Sequence, residues 1–176
     1  MPMKPIRHSQ SAGFTLMEVL VAAVVLGIGI LGLVTLMVTS MKSDQSSFYR
    51  ATASALIYDM ADRIRNNSTE AKAGAYDNVD TSGTIPSDPG CIKSSSGCTP
   101  SALAQEDIRE WANNFVNVNG VTHYASSLPN GIGTVTRNTT NNQFTITVKW
   151  NETDWDKTNP TKRANTTGSL SLNMSL

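Results

Sequence analysis

From Val19 to Val38 the chain runs for twenty residues with Thr35 as its only polar side chain. As an α-helix rising about 1.5 Å per residue, such a run is about 30 Å long, the thickness of a bilayer's hydrocarbon core. A segment of this kind must be covered by lipid or by other helices, so it divides the sequence into a short front and a long back. The front, residues 1–13, reads MPMKPIRHSQSAG, with Lys4 and Arg7 positive and no acidic residue. Behind the run, Lys42 and Asp44 nearly cancel. Positive charge stays on the cytoplasmic side of a membrane helix. The expected orientation therefore has the N-terminus in the cytoplasm and residues 45–176 outside.

Glu18 discriminates among the ways such a segment is used. A cleaved secretory signal needs small residues after its apolar run, and Thr39-Ser40-Met41 is a poor site of that kind. A plain signal anchor accounts for the hydropathy but leaves the carboxylate unexplained. Inserting an acid at membrane depth costs about 2.5–3.5 kcal/mol, and the group needs a partner. In the local string Ser11-Ala12-Gly13-Phe14-Thr15-Leu16-Met17-Glu18, a residue without a side chain stands directly before the apolar stretch and an acid follows five residues later.

This string closely resembles the class III signal of type IV prepilins and pseudopilins. The resemblance implies that a membrane aspartyl peptidase, the prepilin peptidase, cuts the Gly13–Phe14 bond on the cytoplasmic side and methylates the new N-terminal Phe14. Lys4 and Arg7 would leave with the leader, while the apolar helix stays as anchor and assembly stem. Glu18 would then neutralise the terminal amine of a neighbouring subunit, a pairing that supplies register as well as attraction in a low-dielectric core. Many major pilins carry a proline at the twenty-second mature position. Thr35 stands there in this chain, so the associated kink is not expected. Gly27, Gly29 and Gly32 either soften the stem locally or serve as packing notches.

The stem is expected to continue through Thr39–Asp44 into an amphipathic helix over residues 45–66. There Phe48, Ala55, Met60 and Ile64 recur near helical spacing, as do Ala53, Ile57 and Ala61. Asp59 and Arg63 form an i, i+4 pair. Residues 67–100 are rich in Gly, Pro and Ser and enclose Cys91 and Cys98. The Cys-x6-Cys spacing, with no histidine cluster nearby, is a poor zinc pattern. Outside the cytoplasm it predicts a disulfide.

Thr99-Pro100 reads as an N-cap followed by proline at the first helical position. Ala104, Ile108, Trp111 and Phe115 then share one face, with Trp111 as a core plug. The last third switches to period two: Ile132–Arg137, Phe144–Trp150 and Leu170–Ser175, with turns at 138–142 and 151–168. A stem helix on a three-stranded antiparallel meander is a two-layer α+β domain.

Several functions are disfavoured. Fourteen basic residues balance fourteen acidic ones, and the C-terminal region has no basic cluster interleaved with aromatics, so no nucleic-acid partner is expected. The histidines are His8, in the leader, and His123, read as an ordinary loop or strand residue. No nucleophile–base context, phosphate loop or paired-metal spacing appears, so no catalytic residue and no cofactor is assigned. Glu152, Asp154 and Asp156 alternate around Trp155, but this stretch lacks the glycine and distal glutamate of an EF-hand loop. It is read as a solvated hairpin loop and not as a metal site.

The downstream features narrow the resemblance. Cys91…Cys98-Thr99-Pro100, the helix with Asp107 and Trp111, Leu128-Pro129-Asn130-Gly131-Ile132-Gly133, and Phe144–Glu152 are together similar to PilV-type minor pilins, the type IV pilus modification protein family. That implies a type IV pilin-like α+β fold, a long N-terminal hydrophobic stem helix packed on a small C-terminal antiparallel sheet. Its parts would be a leader at 1–13, the membrane half of the stem at 14–39, and a periplasmic head at 40–176 that includes the second half of the stem. It also implies partners: the prepilin peptidase, other minor pilins and the major pilin, with residence in the inner membrane before assembly into the pilus. The role would be priming pilus assembly and supporting adhesion or twitching motility. The alternative inside the superfamily is an I-type minor pseudopilin of a type II secretion system, distinguished by its gene neighbours.

Overall fold

The structure, a computed structural model, describes residues 13–95, 97–155 and 163–176. Helix α1 spans Leu16–Asn66 and is followed by a short helix α2 at Ser68–Ala73, strand β1 at Val79–Asp80, a 3-10 turn at Cys91–Lys93 and helix α3 at Pro100–Ala112. The strands β2 (Ile132–Asn138), β3 (Gln143–Trp155) and β4 (Arg163–Ser175) complete the order. The chain divides into two compact units, Met1–Asp44 and Gln45–Leu176.

In the first unit every residue from Leu16 to Met41 is exposed, and the segment is long and apolar enough to cross a membrane. The helix runs unbroken through Gly27, Gly29 and Gly32, where an added Cβ would meet open space. Thr35 and Thr39 donate their hydroxyls to the carbonyls of Leu31 and Thr35, each at 3.0 Å, so both polar groups are satisfied inside the helix.

The second unit is the α+β body. Its sheet is antiparallel throughout, in the order β1-β2-β3-β4. The buried face alternates as period two demands: Gly133 and Val135 on β2, then Phe144, Ile146, Val148 and Trp150 on β3, then Met174 on β4. Against it pack Ala53, Leu56, Ile57, Met60, Ala61 and Ile64 of α1 and Ala104, Ile108 and Trp111 of α3. Thr99 caps α3 through its hydroxyl, which accepts the Ala102 N–H at 3.3 Å.

The structure corrects three expectations. Phe48 and Ala55 do not join the inward stripe of α1: Phe48 is 63% exposed and Ala55 lies open. At about 100° per residue, the five-residue step from Ala55 to Met60 turns about 140° around the helix, so the two cannot share a face. The buried stripe instead steps Ala53, Ile57, Met60, Ile64.

Second, among the described residues the sheet has four strands and not three. The fourth, β1, is two residues long and pairs Val79 with Val135, too short to show a period.

Third, the turn expected over 151–168 is mostly strand. β3 and β4 pair from Trp150–Gly168 out to Trp155–Arg163. β2 stops at Lys149 in this register, so the extension is a two-stranded ribbon without a third strand, and its polar residues give no apolar alternation.

Candidate functional site

The residues singled out in the sequence gather at the start of α1. Gly13, Phe14 and Thr15 precede the helix, and Phe14 is 83% exposed. Thr15 is the N-cap. Its carbonyl accepts the Glu18 N–H at 3.1 Å and the Val19 N–H at 3.3 Å, and its hydroxyl also faces the Glu18 N–H at 3.2 Å. Glu18 thus lies in the first turn of a helix whose N-terminal dipole favours an acid. Its carboxylate is exposed and has no partner among the described residues. The leader residues 1–12, with Lys4, Arg7 and His8, lie outside the described residues.

Cys91 and Cys98 are joined in a disulfide, with their Cα atoms 5.3 Å apart. The bridge ties the 3-10 turn to the residue before the cap of α3, and it presents Ile92 80% exposed. His123 is an exposed loop residue in the left-handed region, with φ 63°. Of the acidic stretch, Glu152 sits on β3 and accepts from Ser46 Oγ at 3.2 Å and from Trp150 Nε1 at 3.3 Å. It is therefore strand, not hairpin loop as expected, and Asp156 lies outside the described residues. Among the described residues no group of three His, Cys, Asp or Glu side chains is placed to hold a metal ion.

A family model described as Tt1218-like, type IV pilin Tt1218, matches residues 35–109, and the prokaryotic N-terminal methylation motif matches residues 8–34. The two matches abut and together cover 102 of the 176 residues. Over these residues the chain is similar to type IV pilins, and its fold is type IV pilin-like. Comparison with curated proteins and with solved structures gave no match. The methylation motif spans Gly13, Phe14 and Glu18, and the pilin match takes in the disulfide and α3 through Arg109. The methylation motif implies processing by the prepilin peptidase and assembly with other pilins, as a pilin or pseudopilin subunit.

A polar network joins α1 to α3 in the second unit. Arg63 holds Asp59 at 3.1 Å, as expected, and also reaches Asp107 at 3.1 Å and Glu110 at 2.7 Å on α3. Burial lowers the affinity of the Arg63 guanidinium for its proton, but Glu110 and Asp59 outweigh it and hold the group firmly charged. The Tyr76 hydroxyl donates to the other oxygen of Asp107 at 2.5 Å, and Asn67 links Tyr76 to the carbonyl of Pro100 at 2.7 Å. Burial, then the bond to Asp107, pushes the Tyr76 phenol above its ordinary range.

A second, partly buried pair joins Arg137 to Asp77. Arg137 Nη2 donates to Oδ2 at 2.8 Å, and Nε lies 2.8 Å from Oδ1 without hydrogen-bond alignment. The contacts from Arg63 to Asp107 and from Arg137 to Asp77 cross 44 and 60 residues, and no local spacing announces them. The cap at Thr15 did have a signal, the Thr-x-x-Glu pattern of a capping box.

Proposed function

We propose that this chain is a minor pilin of the type IV pilus, of the PilV type. It is cut by the prepilin peptidase between Gly13 and Phe14 and methylated on Phe14. The observation that carries this reading is the start of α1. The Gly13–Phe14 bond lies outside the helix and open. One turn further on, Glu18 is the single acid on an uncovered apolar stem, with no partner among the described residues.

Before assembly the stem anchors the subunit in the inner membrane, with residues 40–176 in the periplasm. The charge of Lys4 and Arg7 ahead of the span supports that orientation, and the Cys91–Cys98 disulfide is the chemistry expected outside the cytoplasm. In the filament, Glu18 faces the methylated amine of an adjacent subunit and fixes its register. The subunit helps prime assembly with other minor pilins and the major pilin, and through the pilus it supports adhesion or twitching motility. The match to a type IV pilin family favours the pilus over a type II secretion system.

Fractionation tests the reading. The chain should appear, at low abundance, in pili sheared from the cell surface, and deleting its gene should reduce surface pili. A chain confined to the membrane fraction, with piliation unchanged by its loss, contradicts the proposal.

A further inference from the structure

The helix boundary next to the processed bond has its own determinant. Helix α1 starts at Leu16, two residues beyond Phe14. At the boundary the hydroxyl and carbonyl of Thr15 both face the Glu18 N–H, at 3.2 and 3.1 Å. A cap of this kind requires extended backbone at the capping residue, so it terminates the helix where it stands. The position of that end matters for a peptidase. A peptide bond inside an α-helix has its N–H and C=O committed to the helix and its flanking side chains wound around the axis. It cannot line up in a cleft that receives an extended chain. Gly13 opposes helix extension through its backbone freedom, but Phe14 carries no such brake.

We propose that Thr15 is a positioning residue for processing: its capping hydroxyl holds the helix start at Leu16, two residues beyond Phe14, which keeps the Gly13–Phe14 bond non-helical and accessible. This rests on the reading that Gly13–Phe14 is the bond cut. Thr15 itself contributes nothing to the chemistry of cleavage. It sets the fraction of precursor that presents the bond, and a substrate competent for only part of the time binds with an apparent constant raised in inverse proportion to that fraction. Replacing Thr15 with Ala removes the cap and installs the best helix former. Ser and Asn retain a capping oxygen.

The test is steady-state cleavage of the full-length precursor in membranes by purified prepilin peptidase, for the wild type, Thr15→Ser, Thr15→Asn and Thr15→Ala. The capped variants should stay within about twofold of the wild type. Thr15→Ala should raise KM about fivefold with kcat unchanged, because the bound substrate is extended in every variant. A KM for Thr15→Ala equal to that of the wild type overturns the inference while leaving the processing reading intact. So does a loss in Thr15→Ser and Thr15→Asn as large as in Thr15→Ala. A wild-type precursor that is not cut removes the processing reading, and this inference with it.

Discussion

The indole of Trp111 lies on the bare backbone of Gly133: a Cβ at 133 would stand 2.4 Å from Trp111 Cη2 and 2.8 Å from Phe115 Cε2. The ring cannot swing away, because its Nε1–H donates to the Leu56 carbonyl at 2.8 Å, pinning α3 to α1 over β2. Gly133→Ala should therefore overpack the centre of the head and cost about 2–3 kcal/mol. Gly27→Ala, where the Cβ meets open space, should leave the head's stability unchanged. Urea unfolding of the full chain in detergent, followed by tryptophan fluorescence, compares the two. Equal midpoints for Gly133→Ala and the wild type would show that the ring is free to move.

Tyr76 links stability to alkaline pH. Its phenol is fully buried and donates to Asp107, and both effects raise its pKa above the ordinary value near 10. The unfolded chain therefore loses this proton at lower pH than the folded one. The stability contributed is fully present below about pH 10 and is lost as pH rises beyond it. Tyr76→Phe removes the hydrogen bonds and should cost about 1–2 kcal/mol at pH 8. That gap should narrow above pH 10, since the variant has no phenol to titrate. Unfolding midpoints of both proteins at pH 8 and pH 10.5 measure it. A gap that is constant across this range contradicts the assignment.

The Cys91–Cys98 bridge closes a loop of about 8 residues, for which chain entropy gives about 2.5 kcal/mol. The double variant Cys91→Ser, Cys98→Ser should unfold at correspondingly lower urea. Mass spectrometry of envelope protein under non-reducing conditions should show two protons fewer than the reduced chain. Free thiols there would contradict a periplasmic head.

Glu18 separates anchoring from assembly. As an anchor residue it is a burden, so Glu18→Ala should insert at least as well as the wild type. As the partner of a neighbour's amine, it contributes a buried charge pair whose loss amounts to about a hundredfold or more in an equilibrium. The variant should be cut and membrane-resident yet depleted from sheared pili. Equal recovery of both proteins in sheared pili, by immunoblot, would remove the assembly role.

Much of the fold was legible because its signals are local. The stem is read from hydropathy, α3 from Thr99-Pro100 and the spacing of Ala104, Ile108 and Trp111, and the strands from Phe144, Ile146 and Val148 alternating with polar neighbours. The sequence failed where burial is decided by partners distant along the chain. Phe48 and Ala55 are apolar but lie off the face that the sheet covers. The β3–β4 ribbon beyond Trp150 is polar because no third strand pairs with it there. The partners of Arg63 on α3 and of Arg137 at Asp77 meet them only when segments distant along the chain fold together. At the candidate site, Gly13, Phe14 and Glu18 were legible from one short motif. Thr15 is legible only through the Thr-x-x-Glu spacing of a capping box, since its hydroxyl adds nothing to the charge or hydropathy pattern.

Intact mass and N-terminal sequencing of the protein extracted from membranes bear most directly on the account as a whole. A chain that begins at N-methylated Phe14 and lacks residues 1–13 is the predicted result. A chain that begins at Met1, or at a residue beyond Met41, would contradict it.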